Sequence, residues 1–443
     1  MRLPPERTLI LSLLLALGSG YYYFGLLLPQ ARSQAVANQV AGGYSYGGDF
    51  YPIWLTGREL LLHRSDPYTP AMTREIQIGL YGRPMDPYRR ADPPADFRAF
   101  SYPLYTDLLA APFLPLRFNT VRIVLAFLLP LLTAASVVLW LRALGVRVSV
   151  TTLADVIILT LASYPVLDGM YLQQVGLLVG AALALSMAAL ARERLSLAGM
   201  LLALASVKPQ LVWLLALWML LWVVSDWKHR KAFAHGFALT TTLLFLVSQL
   251  ILPGWLVGWW GSMVHYSRYT LPPLTQLVLG RFLGVLVGLA MLALAGVICW
   301  QSRRQPATSA GFSLAVGFVL AVTVILLPTG SAVFDQVILF PAIFWLGSRW
   351  SEILEASLPV RVVALAAVVA LVWQWLVACG VALISLFWPI WASSRTVLVF
   401  PIRMAAPLPF ALLALLSFFV VGLVRGEYDS AGVPRPPAAQ NGI

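Results

Sequence analysis

Asp49 stands in YSYGGDFYPIWLTGREL (residues 44–60), behind two glycines and at the start of an aromatic, helix-like stretch. A carboxylate there has two readings. It can cap the helix by accepting the orphan backbone amides of the first turn. It can also take a proton from a hydroxyl at a membrane surface, provided that hydroxyl comes within hydrogen-bond reach. Asp66 in SDPY, Asp86 in MDPYRR and Asp92 in ADPPAD precede prolines and read as turn formers. Asp107 and Asp168 are further candidates for the same proton chemistry. Among the cations, Lys208 in VKPQ (207–210), Arg268, Arg281, Arg395 and Arg403 lie at or near the ends of apolar stretches. A charge at membrane depth is costly and marks function, although a long side chain can instead snorkel to the headgroups. There is no D-x-D, and the four histidines are scattered, so no metal cofactor is expected.

These residues need a scaffold, and composition supplies its class. Of 443 residues 60% are hydrophobic and only 11% charged, and the mean hydropathy is +0.82. A water-soluble domain would carry about a quarter charged residues. Apolar runs of about 20 residues, the length of a bilayer-crossing helix, recur from end to end. The fold class is therefore an all-α polytopic membrane protein. A net charge of +12 is spread as short basic clusters between apolar spans, the pattern of cytoplasmic loops rather than of a nucleic-acid partner. Cys299 and Cys379 both fall in apolar spans, with no disulfide or metal spacing.

Twelve crossings follow, starting inside with an uncleaved first helix near residues 8–28. The inner loops then hold Arg142 and Arg147, Arg192 and Arg194, the cluster KHRK (228–231), Arg303 and Arg304, Arg349 and Arg361, and Arg425. The run 195–225 is broken at VKPQ, because an interior proline ends or kinks a helix. Residues 104–116 are too short to cross and suit a helix lying at the outer interface. The outer loop 30–103 is long and structured, which points to function. Thr69 caps a helix there with Pro70 in its first turn, and Phe50, Ile53, Trp54 and Leu61 share one face of the helix near Asp49. Residues 426–443 form a flexible cytoplasmic tail, and no internal repeat is evident.

The segments GGDFYPIWLTGRELLLHRSDPY (47–68), FSYPLYTDLLAAPFLPL (100–116), QQVGLLVGAALAL (173–185) and LAGMLLALASVKPQLVWLL (197–215) resemble the GT-C superfamily of membrane glycosyltransferases, and more narrowly glycosyltransferase family 87. The resemblance implies a single integral-membrane domain that transfers a sugar, with inversion, from a polyprenyl-phosphate donor to a hydroxyl of a glycolipid or glycan acceptor. It implies mannosyltransferase-like chemistry on the extracytoplasmic side of a bacterial plasma membrane. Asp49 takes the place of the family's catalytic carboxylate. Tyr102 and Pro103 match its YP, and Lys208 and Pro209 its KP. Asp335 and Gln336 stand where relatives carry a histidine. A departing lipid phosphate needs positive charge, for which Lys208, Arg268, Arg281 and Arg403 are the candidates. Tyr102, Gln173, Gln174, Asp168, Asp335 and His265, the last in the aromatic stretch GWWGSMVHYSRYT (258–270), are candidates for holding sugar or acceptor. Helix capping is the plainer reading of the glutamines, and interface anchoring that of the aromatics.

The rival class is a transporter or flippase, against which stand the missing repeat and the single early loop. A glycan polymerase or ligase is a closer alternative, but such proteins usually carry their large loop late in the chain.

Overall fold

A computed structural model describes residues 4–37, 46–86, 98–328, 333–392 and 394–424. Asp92, parts of the 30–103 loop and the 426–443 tail lie outside them. Secondary structure among the described residues is helical, apart from one isolated bridge between Pro273 and Pro328.

The chain begins with α1 (Pro5–Ala37), whose turns widen to π geometry over Tyr21–Leu27. A helical cap follows, made of α2 (Tyr51–His63), α3 (Pro70–Tyr81) and α4 (Tyr105–Leu109). Then come α5 (Phe118–Ala143), α6 (Val150–Leu161), α7 (Tyr164–Leu172), α8 (Val175–Leu190), α9 (Leu195–Ala205), α10 (Trp213–Val224) and α11 (Trp227–Ile251). A second capping helix, α12 (Trp255–Ser267), and the short α13 (Leu274–Leu279) lead into α14 (Arg281–Ser302) and α15 (Ala310–Leu326). The chain closes through α16 (Phe340–Ser348), α17 (Trp350–Glu355), α18 (Leu358–Phe387), α19 (Pro389–Ala392), α20 (Arg395–Leu398) and α21 (Pro407–Val424).

Among the described residues, six spans are long and apolar enough to cross a membrane, or seven if α6 and α7, bent by 57°, count as one. The expected twelve is thus not reached by length alone. The other five apolar segments, Val175–Leu190, Leu195–Ala205, Trp213–Val224, Ala310–Leu326 and Phe334–Ser348, are shorter. Several of them form the centre of the bundle. α15 and α8 are buried over almost their whole lengths, and a helix apolar all round belongs inside. Lipid tails are as apolar as leucine, so such helices associate through close packing and small residues rather than by escaping water. The α9–α11 crossing illustrates this: a Cβ on Gly199 would strike the Phe233 carbonyl, and one on Gly236 the Ser196 carbonyl.

The cap follows ordinary helix rules. Thr69 Oγ accepts from the Met72 amide at 3.2 Å with Pro70 in the first turn, as expected. α2 buries Ile53, Thr56, Gly57 and Leu60 beneath it. Of the expected face, Phe50 and Ile53 are buried, while Leu61 near the end of α2 is 50% exposed. Residues 104–116 form α4 and a 3₁₀ turn, too short to cross.

Hydrogen bonds tie helix ends together at both poles of the bundle. At one, Arg230 is buried against Trp222 and donates to the carbonyls of Trp222, Arg303, Arg304 and Gln305. At the other, Tyr105 Oη donates to the Ser206 carbonyl at 3.0 Å and Gln336 to that of Ala405 at 2.6 Å. The poles should face opposite compartments. His63 and His229 have side chains 63% and 71% exposed, one at each pole. Single cysteines at these positions should react with an impermeant maleimide from opposite sides of sealed vesicles; labelling of both from one side would refute the layout.

Candidate active site

The Gly-Gly-Asp turn is seated on the end of α7. A helix leaves its last carbonyls without intrahelical partners. Two of them are used here: the Gly47 amide donates to Tyr171 O at 2.9 Å, and the Asp49 amide to Leu172 O at 3.0 Å. Gly47 has φ +78°, and a Cβ there would lie 2.6 Å from Gln173 Oε1, so glycine is the residue that fits. Gln173 ends α7 in the left-handed region (φ 56°), and the Gln174 amide returns to Gly169 O at 2.8 Å, a common way to close a helix. Arg122, at the start of α5, braces the turn from behind. Its Nε donates to Tyr46 O at 2.6 Å, and its own carbonyl accepts from Gln173 Nε2 at 2.7 Å.

Asp49 does not cap the helix. α2 begins at Tyr51 with Phe50 in the cap position and no side-chain cap bond. The Asp49 carboxylate is buried and receives the guanidinium of Arg98. The strand of chain carrying Arg98 is held by α12, where Ser262 Oγ donates to Phe100 O at 2.7 Å and Trp259 Nε1 to Ser101 O at 3.0 Å.

Asp49 and Arg98 border a cavity of about 220 Å³ that Tyr102, Gln174, Lys208 and Tyr266 also line. Lys208 reaches it because α9 stops at Ala205. The residue before a proline is pushed out of helical geometry, and Lys208 (φ −126°, ψ 76°) leads into the Pro209–Leu211 turn. Its Nζ lies 2.8 and 2.7 Å from the two oxygens of Asp335, with the side chains 5% and 0% exposed. Gly176 makes room for this pair, since a Cβ there would strike Asp335 Oδ1. The Asp335 carboxylate thereby sits against the first turn of α8, where the helix dipole favours negative charge. Gln174 is buried, and its Oε1 has no hydrogen-bond partner among the described residues.

The structure thus brings together Asp49, Tyr102, Gln174 and Lys208, with Asp335 reached through the lysine. It leaves the others apart. Asp168 borders a separate cavity, where Tyr23 Oη donates to it at 2.8 Å and Arg395 stands on the rim; Leu172 divides that cavity from the first. Arg268 and Arg281 are exposed and do not line the Asp49 cavity, and Arg403 borders a third cavity beside Gln336. His265 is exposed and packs edge-on against Tyr269, which itself borders the Asp49 cavity. Asp107 lies in the core of the cap, where Thr56 Oγ1 donates to it at 3.2 Å and its Oδ2 has no partner. Burial holds the Asp107 carboxyl well above the usual carboxylate range. Asp66 makes the expected turn, accepting from the Tyr68 amide at 2.8 Å. Sequence reasoning missed Arg98, and it marked the aromatic stretch 258–270 without singling out Tyr266 and Tyr269. Arg98 could have been found as the basic residue just ahead of FSYP.

A polytopic helical bundle with a polar cavity under a helical cap, built around a carboxylate and a lysine, is the frame of a membrane enzyme. The chain belongs to glycosyltransferase family 87, whose sequence model matches residues 100–328, just over half of its length. It is therefore a membrane glycosyltransferase. No curated protein and no solved structure matches it. The matched stretch contains Tyr102, Gln174 and Lys208, while Asp49 and Asp335 lie outside it.

The Lys208–Asp335 pair yields a stability test. Removing one partner of a buried ion pair strands the other charge, at about 3–5 kcal/mol. Lys208→Met should therefore lower the unfolding temperature of the detergent-solubilised protein clearly, and adding Asp335→Asn should recover most of the loss. Equal stability of the single and double variants would show that the two charges are not coupled.

Proposed function

We propose that the protein transfers a sugar from a polyprenyl-phosphate donor to an acceptor hydroxyl with inversion, using Asp49 as the general base. The observation that carries this reading is the position of Asp49: a buried carboxylate on a fixed turn, aimed at Arg98 and bordering a polar cavity. In the proposed step the acceptor oxygen attacks the anomeric carbon while its proton passes to Asp49. The bond from that carbon to the phosphate oxygen breaks, and the lipid phosphate leaves with the electron pair. Arg98 and Lys208 are the cations that border this cavity, so we assign them to the phosphate ahead of Arg268, Arg281 and Arg403. Gln174, with its unpartnered oxygen, and Tyr102 and Tyr266 suit a sugar, which offers hydroxyl donors and an apolar face. We take the cap pole to be extracytoplasmic, since the opposite pole carries the clusters 228–231 and 303–304. We further take the acceptor to be a glycolipid or glycan.

Asp49→Asn tests the proposal. The amide keeps the shape but cannot take the proton, and general-base catalysis is worth roughly a hundred- to ten-thousand-fold. Transfer from a panel of radiolabelled polyprenyl-phosphate sugars should fall by that range while donor binding persists, and EDTA should leave the wild-type rate unchanged. A well-folded Asp49→Asn protein that transfers at the wild-type rate would remove Asp49 from the role of base.

A further inference from the structure

A cavity larger than the one at Asp49 lies elsewhere in the bundle. It has a volume of about 820 Å³ and lies between α5, α6, α16 and α18, with Val156, Ile343, Phe344 and Leu371 among its walls. Its deep end reaches Gln336. Its other end, which we take as the mouth, is lined by Gly145 and Arg147 of the α5–α6 connection, by Gly347 in the last turn of α16 and by Arg349 just after it. These residues belong to the same pole as Arg230 and the 303–305 turn, opposite the cap. Arg147 is exposed. Arg349 is half-buried, donates to Glu352 at 2.9 Å and lies over the Trp345 ring.

We propose that this cavity binds an anionic glycerophospholipid, with an acyl chain between the helices and the headgroup phosphate at Arg147. An apolar slot of this size within a bundle accepts a hydrocarbon chain, and basic pockets between membrane helices select anionic headgroups. The pole is basic on balance: Arg142, Arg192, Arg194, the 228–231 cluster, Arg303 and Arg304 lie there, against Glu193, Asp226, Glu352 and Glu355. The sugar donor is a poor occupant for the mouth. A donor with its phosphate beside Lys208 at the cap pole cannot also set that phosphate beside Arg147 at the other. This site is independent of the catalytic proposal, and its test needs no substrate.

The full-length protein, purified in mild detergent, is mixed with equimolar phosphatidylglycerol and phosphatidylcholine of identical chains, and lipid adducts are counted by native mass spectrometry. Phosphatidylglycerol should be retained preferentially. An interfacial arginine is worth about 1 kcal/mol towards an anionic lipid, so Arg147→Gln should reduce the preference about fivefold while leaving total binding largely intact. A Cβ at Gly347 meets nothing within 4 Å, so Gly347→Trp has room to fill the mouth and should lower adducts of both lipids. If Gly347→Trp fails to fold, the surface substitution Arg147→Gln decides alone. Equal retention of the two lipids by wild type, or a preference unchanged in Arg147→Gln, would overturn the site. So would displacement of phosphatidylglycerol by undecaprenyl phosphate with the same dependence on Arg147, which would assign the cavity to the donor lipid.

Discussion

The two hydrogen bonds from the Gly47 and Asp49 amides to the carbonyls of Tyr171 and Leu172 couple the cap to the bundle at the point where the chemistry is proposed. They depend on α7 ending there, which depends in turn on the left-handed Gln173 and on the bend between α6 and α7. They also depend on a glycine at position 47, because a side chain would collide with Gln173. Backbone docking fixes the Cα of Asp49, and Arg98 fixes its carboxylate. A base positioned by backbone hydrogen bonds and one ion pair has little freedom left, and orientation of this kind supplies a large share of enzymatic rate.

The rest of the bundle makes such a site tenable. Short central helices end inside the protein instead of at its surface, and their ends supply polar groups where lipid could not tolerate them. Lys208 emerges where α9 stops, Gln174 where α7 gives way to α8, and Asp335 just before α16. Lys208 and Asp335 partner each other there, and Asp49 is partnered by Arg98, which is how ionisable groups persist at membrane depth. The family match covers part of this inner framework, with Tyr102, Gln174 and Lys208, and ends before Asp335 and α16. The carboxylate that we propose as base is contributed by the cap.

Much of this was legible in the residues. Thr69-Pro70 announced a helix start and VKPQ a break, because each rests on local backbone chemistry; Gly-Gly-Asp read as the start of a helix that Asp49 could cap, whereas residues 46–50 form a turn ahead of α2. What was not legible is what depends on distance through space. Arg98 is 49 residues from Asp49, and nothing local pairs them. Tyr266 and Tyr269 look like any interfacial aromatics until α12 is folded over the cavity. Hydropathy gives the depth of a charge but not its bearing around the bundle, so Arg268, Arg281 and Arg403 could not be told from Lys208. The same limit explains the helix count: apolar composition located the segments but could not distinguish long spans from short central helices.

The central claim is that the Asp49 carboxylate acts from one fixed place, and Asp49→Glu tests it most directly. Glutamate keeps the charge and the basicity but extends the carboxylate by one methylene from a backbone that cannot retreat. Displacement of a reacting group by about 1 Å can cost about a hundredfold in rate. We expect kcat for sugar transfer to fall by about that factor, with donor KM and unfolding temperature close to wild type. A kcat for Asp49→Glu within a few-fold of wild type would contradict the account, since a base that works equally well from two positions is not one held by this docking.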